Sequence, residues 1–286
     1  MMTTSEVEFL TQVAPGLKRR SDRFFTADKT DSVSYPFSAQ AQLAIIEESS
    51  FWFRHRNDVI SSLVRRFPPS GPIVEIGGGN GYVSLGLSHL GFSTIVLEPG
   101  PDGAEIAHSR GLVVICAAFT PGTFVAGTLP AIGLFDVIEH IANAQEFLMD
   151  CRRALMPGGM LYVTVPAFRA LWSSDDEFAG HYRRYSQSSL TRAISAAGFE
   201  VAFMSAFFSL LVIPLFLLRS LPSALGWRKV STIAKTLAHH QTNLRTSDIL
   251  KQLHGWEAAA VRGGHIVPLG TSLIAVARKS ETEQSK

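Results

Sequence analysis

The stretch "IVEIGGGNGY", Ile73 to Tyr82, sets glycines on alternate positions, Gly77, Gly79 and Gly81, directly after a short apolar run that carries an acid, Glu75. Such a run, closed by glycines and followed by a helical pattern, reads as strand, turn and helix of a parallel sheet. A dinucleotide fold would show G-x-G-x-x-G, in which the last glycine lets helix pack closely on strand. Here that position is Tyr82. The pattern Glu75-x-Gly77-x-Gly79-x-Gly81 instead lets the backbone pass close beneath a ligand while an acid stays at the strand end. That suits a cationic amine better than a pyrophosphate. A second acid, Glu98, ends the next apolar run in "TIVLEPG", where a carboxylate can accept both hydroxyls of a ribose.

Outward from this loop, β-rich runs alternate with helix-period runs, which predicts a parallel sheet with crossover helices. Strands are expected at Ile73 to Ile76, Thr94 to Leu97, Val113 to Cys116, Ile132 to Phe135, Leu161 to Val165, about Glu200 to Ala206, and Thr271 to Ala277. The clearest helix is "NAQEFLMDCRRALMPGG", capped by Asn143 with Glu146 returning the bond, closed by Gly158 and Gly159, and burying Phe147, Leu148, Cys151 and Leu155. A second, "SSLTRAISAAG", closes at Gly198. The chain then divides into a helical N-terminal cap (1–72), an α/β Rossmann-like core (73–206), an apolar helical insertion (207–267), and a last strand with a polar tail (268–286).

These residues resemble the class I S-adenosylmethionine-dependent methyltransferases. "VEIGGGNG" is similar to their first motif and "VLEPG" to their second. "LFDVIEHI" (Leu134 to Ile141), "ALMPGGMLYVTVP" (Ala154 to Pro166) and the loop "DEFAGHYRRYS" (Asp176 to Ser186) are similar to the group that includes the ubiquinone-biosynthesis O-methyltransferases. The resemblance implies S-adenosyl-L-methionine as cofactor, held by Glu75, Gly77, Gly78, Gly79, Gly81, Glu98 and Pro99, with Asp136 and Val137 from the fourth-strand motif. Many members place an acid on the adenine amine after the third strand. This chain reads "CAAFTPG" there, which leaves Ala117, Ala118 and Phe119 to hold the ring by apolar and backbone contact.

Methyl transfer from a sulfonium is an in-line displacement, so holding the acceptor in line supplies much of the acceleration. A base is needed only for a protonated acceptor, and histidine is the side chain poised for that near neutral pH. Of nine histidines, His140 in "DVIEH" and His181 in "DEFAGHYRRYS" follow the fourth and fifth strands, at the carboxyl edge where open α/β sheets bind ligands. Asp176 could orient His181, and Tyr185 could line the acceptor pocket; Arg183 and Arg184 are expected to hold the loop against acids below it. On the N-terminal helix "SFWFRHRND", Arg54 could bind the cofactor's methionine carboxylate. No metal site is expected.

The 286 residues carry 26 Lys and Arg against 24 Asp and Glu, a net charge of +2, without the basic excess of nucleic-acid binders. Cys116 and Cys151 stand in apolar runs and read as buried thiols. The N-terminus lacks the pattern of a secretory signal, so a cytoplasmic location is expected. One stretch, Val201 to Leu218, is uncharged over about the length of a membrane span. Pro214, Ser205 and Ser209 argue against a span. A helix from Phe207 to Leu218 covering the pocket or a second subunit is favoured, ahead of peripheral membrane contact. A second inserted helix, about Thr246 to Ala260, could pack on it through Leu250, Leu253 and Trp256. The leading function is methyl transfer to O or N of a small, mostly apolar or aromatic acceptor. The alternatives are a lipid-linked or quinone-like acceptor reached at the membrane surface, and a non-catalytic cofactor-binding scaffold.

Overall fold

The computed structural model describes residues 5–27, 47, 50–226 and 244–281. A mixed sheet runs through them in the order β1-β2-β5-β4-β3-β6-β7-β9-β8. Its members are β1 (Lys18–Ser21), β2 (Phe24–Thr26), β3 (Ile73–Ile76), β4 (Thr94–Leu97), β5 (Val113–Cys116), β6 (Leu129–Phe135), β7 (Leu155–Pro166), β8 (Phe199–Phe207) and β9 (Ser272–Lys279). The strands β5, β4, β3, β6 and β7 pair in parallel, and β9 lies antiparallel between β7 and β8. Strand order reverses beside β3, so the crevice at the carboxyl ends of β3, β4 and β6 is the natural ligand position of this architecture.

Every residue of β3, β4 and β5 is buried, the mark of strands covered on both faces. The covering helices are α2 (Phe51–Arg66), α3 (Tyr82–His89), α4 (Pro101–Ser109), α5 (Ala144–Ala154) and α7 (Gln187–Ala196); α1 (Ser5–Val13) sends Leu10 and Val13 into the main core, and the short α6 (Ser174–Ala179) follows β7. Asn143 does cap α5, its Oδ1 accepting from Glu146 N while its Nδ2 donates to Glu146 Oε2. Leu148 and Cys151 of that helix are fully buried, the leucine side chain contributing about 1.5–3 kcal/mol. Both cysteines are free and buried.

The fold departs from the sequence reading in four places. The N-terminal cap is not wholly helical: β1 and β2 form a hairpin whose second strand pairs in parallel with β5 and extends the sheet. Helix α5 ends at Ala154 rather than at the glycines, because Leu155 already pairs with Leu129 and β7 carries Gly158 and Gly159 as its irregular start.

The inserted apolar segment is the third departure. Phe207 closes β8, and the chain then continues as a 3-10 turn (Ser209–Leu211), a helical turn (Val212–Leu215), a π-helical turn (Phe216–Ser220) and a final turn (Leu221–Ala224). Leu210, Ile213, Leu217 and Leu218 are exposed rather than buried. Among the described residues no helix is long and apolar enough to cross a membrane.

Fourth, among the described side chains the second inserted helix, α8 (Leu244–Gly263), packs on α2 rather than along the apolar run. His55 Nε2 lies 2.7 Å from Glu257 Oε2, and Arg262 Nη2 donates to Ser62 Oγ. Trp256 is exposed, and the side chains of Leu250 and Leu253 lie outside the described residues, as does the tail beyond 281. Glu257 touches the apolar run only at its root, accepting from Phe208 N, Ser209 N and Ser209 Oγ.

Candidate active site

Gly77, Gly79 and Gly81 all adopt left-handed backbone, with φ of 69°, 53° and 71°, which an L side chain rarely tolerates. Gly78 is required for a different reason: a Cβ there would sit 2.8 Å from Val96 Cγ1. The loop is tied down from below, since Gly77 N donates to Leu97 O at 2.8 Å.

The acids flanking this loop take different places. Glu75 is buried and turns into its own helix, where Oε2 accepts from Ser84 N at 3.0 Å and from Ser84 Oγ. Burial pushes its carboxyl up to about 7, opposed by the Ser84 bonds. It braces the strand–helix turn rather than facing the crevice. Glu98 ends β4, with Oε2 accepting from Gly79 N at 2.8 Å and Oε1 from Gly100 N at 2.7 Å. Its burial raises the carboxyl, and the two N–H bonds lower it. This carboxylate therefore fixes the glycine loop directly, beside Pro99. At the end of β5, Ala117 is buried, Ala118 borders a cleft shared with Leu17 and Ala27, and Phe119 packs edge-on against Phe147.

Asp136 closes β6 with φ 58°, an uncommon conformation for a non-glycine residue and a mark of functional sites. Thr164 Oγ1 donates to its Oδ1 at 3.1 Å, and Arg56 Nε lies 2.7 Å from its Oδ2 while Arg56 Nη2 donates to Phe135 O. Val137 packs against Gly77. Of the two arginines at the start of α2, Arg56 rather than Arg54 joins the fourth-strand motif; Arg54 sits half-buried on the same helix. Arg110 adds a clamp that the sequence did not suggest, donating to Asn80 O at 2.6 Å and to Glu47 Oε2 at 3.0 Å.

The two candidate bases meet. His140 ends a 3-10 turn (Ile138–His140) after β6, and its ring stands edge-on to that of His181, centroids 4.6 Å apart. Burial, then the neighbouring His181, lowers His140 to about 4, so it is neutral at physiological pH. His181 Nδ1 lies 2.9 Å from Asp176 Oδ1. Burial alone would raise Asp176. The His181 bond and the Arg184 and Arg219 guanidiniums reverse this and hold the carboxyl well below the usual range. An ionised carboxylate can only accept, so Nδ1–H is the donor to Asp176, and in a neutral imidazole so held the lone pair falls on Nε2. Arg184 Nε reaches Asp176 Oδ1 at 2.7 Å, while Arg183 donates to the Ile141 and Ala142 carbonyls.

Tyr185 is deeply buried. It lies in the main core, bridges to Ala167 through its backbone, points its hydroxyl toward Ile138 O, and burial pushes it up to about 12. Its ring packs the loop against the sheet.

Sequence reasoning passed over Glu139. It is fully buried, and neither carboxylate oxygen has a hydrogen-bond partner among the described residues. Burial and then Asp136 raise its carboxyl well above the usual value. Ligand atoms of Glu139, His140 and His181 lie within 4.8 Å of one another. Two imidazoles and a carboxylate are a donor set that suits a divalent transition metal. The adjacent Glu-His pair in "DVIEH" was the available signal, but its partner is 41 residues away, His181 minus His140.

The sheet order, the left-handed glycine loop and the acid after β4 together define a class I methyltransferase fold built to hold S-adenosyl-L-methionine. The chain belongs to the methyltransferase domain family, whose sequence profile matches residues 52–202. It is 27% identical over 173 residues to a Mycolicibacterium smegmatis protein named a probable S-adenosylmethionine-dependent methyltransferase, covering 58% of this chain and 66% of that one. A ubiquinone biosynthesis O-methyltransferase of Caulobacter vibrioides is 29% identical over 101 residues, 32% of this chain and 39% of the relative. The chain thus spans about two thirds of the first relative and well under half of the second. A solved S-adenosylmethionine-dependent methyltransferase of Archaeoglobus fulgidus shares the fold, with TM-score 0.51 and 14% identity over 83% of this chain and 99% of that one.

Proposed function

We propose that this methyltransferase acts on O or N of a small, mostly apolar or aromatic acceptor, with His181 as the base that takes the acceptor's proton. The observation that carries this reading is the Asp176–His181 bond, which orients a lone pair at the carboxyl edge of the sheet. S-Adenosyl-L-methionine supplies an electrophilic methyl group when bound. The residues suited to hold it are the glycines from Gly77 to Gly81, Glu98 and Pro99 for the ribose, Ala118 and Phe119 for the adenine edge, Asp136 and Val137 beside them, and Arg54 for the carboxylate. An aromatic group at the start of α2, which reaches the end of the glycine loop through Phe53 edge-on to Tyr82 and stacks Trp52 on Phe208 at 5.5 Å and 10°, supports the acceptor class. Apolar walls of this kind exclude water and favour a flat, poorly solvated acceptor.

A second reading rests on Glu139. A buried carboxyl whose oxygens lack hydrogen-bond partners is costly alone, and a divalent cation shared with His140 and His181 would offset that cost. The cluster would then lower the pKa of an acceptor hydroxyl. The deciding experiment measures S-adenosylhomocysteine affinity by calorimetry and turnover on a panel of phenols, amines and hydroxylated apolar compounds, with and without chelator. Binding without methylation of any apolar or aromatic compound would overturn the acceptor class, and loss of binding would overturn the assigned cofactor site.

A further inference from the structure

The helical run from Ser209 to Ala224 is inverted relative to an ordinary surface helix. Leu210, Ile213, Leu217, Leu221 and Leu225 follow one another at intervals of three or four residues, which places them on one face, and all are exposed, as is Leu218 at 76%. The polar residues of the same run turn inward. Ser220 is 2% exposed, Arg219 Nε donates to Ser173 Oγ at 2.8 Å and lies 2.8 Å from Asp175 Oδ2, and Ser223 Oγ accepts from Ser174 N at 2.9 Å. Pro214, Pro222 and the π-helical turn interrupt a run that is in any case too short to span a bilayer.

The charge pattern selects what covers this face. From Val201 to Ser247 the chain holds no Asp or Glu, while Arg219, Arg228, Lys229, Lys235 and Arg245 are basic. Arg219 pairs with Asp175. A second copy docked by two-fold symmetry would set this basic sequence against itself. An anionic lipid surface would neutralise it and accept the leucines.

We infer that the Ser209–Ala224 run docks on an anionic bilayer surface, lying in the interface with its leucine face in the acyl boundary. The inference rests on the proposed apolar acceptor and names where it is met. Through Arg219 the docked run grips the loop of Asp175 and Asp176, and Asp176 orients His181, so the acceptor site opens beside the lipid.

The test is vesicle flotation of the full chain with phosphatidylcholine vesicles and with vesicles that also contain phosphatidylglycerol. Strong flotation is expected only with the anionic lipid, weakened about tenfold or more by raised salt and by the triple change Ile213→Asp, Leu217→Asp, Leu218→Asp. S-Adenosylhomocysteine affinity of that variant should equal that of the parent, which separates this test from the cofactor-site reading. Should the triple variant fail to fold, Arg228→Glu with Lys229→Glu leaves the leucine face intact and must still weaken anionic binding. Equal flotation of parent and both variants, no flotation with anionic vesicles, or a parent dimer that the triple variant turns to monomer would each overturn the inference.

Discussion

His140 and His181 stand edge to face with ring centroids 4.6 Å apart, and only one of them is held by a carboxylate, Asp176 on His181. That asymmetry supports the proposed roles, with burial lowering His140 and Asp176 orienting His181 as the base.

Replacing His181 by Ala should lower kcat by about 10²–10⁴, the usual contribution of a general base, while S-adenosylhomocysteine affinity stays within about twofold. Steady-state kinetics beside calorimetry check this. An unchanged kcat on a confirmed acceptor would leave catalysis to positioning alone.

Glu98 fixes Gly79 and Gly100 and is the proposed ribose acceptor, so Glu98→Ala should weaken cofactor binding by about 1–3 kcal/mol. Calorimetric titration reads the loss directly. An unaltered affinity would show that the ribose is held elsewhere.

Glu75 predicts a pH effect on stability. Its carboxyl is raised from 4.5 to about 7 in the folded chain, so the native state keeps a proton that the unfolded chain releases. Stability from this group is fully present below pH 4.5, falls as pH rises through that window, and is flat above about 7. Glu75→Gln should remove this downward slope, a difference of up to about 3 kcal/mol between the ends of the window. Urea denaturation of both proteins across the window measures it, and parallel curves would refute the assignment.

The cluster of Glu139, His140 and His181 predicts that cobalt(II) added to the protein gives visible d–d absorption, and that Glu139→Gln weakens its binding about tenfold or more. A spectrum identical for parent and variant would mean that the carboxylate takes no part.

Much of the fold was legible in the residues because its signals are local. Ile73–Ile76 ends where its apolar run meets Gly77, Thr94–Leu97 ends at Glu98, and Val113–Cys116 is a β-rich run that follows shortly after Gly111. Gly77, Gly79 and Gly81 declare a left-handed loop because few other residues adopt one. Asn143 marks the start of its helix through its own side chain. These features depend on neighbours a few positions away, so sequence order carries them.

What depended on distant contact was decided only by the tertiary structure. Nothing local distinguishes Arg56 from Arg54; the choice comes from which one the helix turns toward Asp136. Tyr185 looked like a pocket residue and is core, because the bridge between Ala167 and Tyr185 folds its ring inward. The hairpin of Lys18–Ser21 and Phe24–Thr26 is too short to announce itself and exists by pairing with Val113–Cys116. Composition alone marked Val201 to Leu218 as apolar and reads the same for a buried and an exposed helix. Its orientation was set by Arg219 and Ser223, whose polar groups find their partners, Ser173, Asp175 and Ser174, on the protein side and so turn the leucines out.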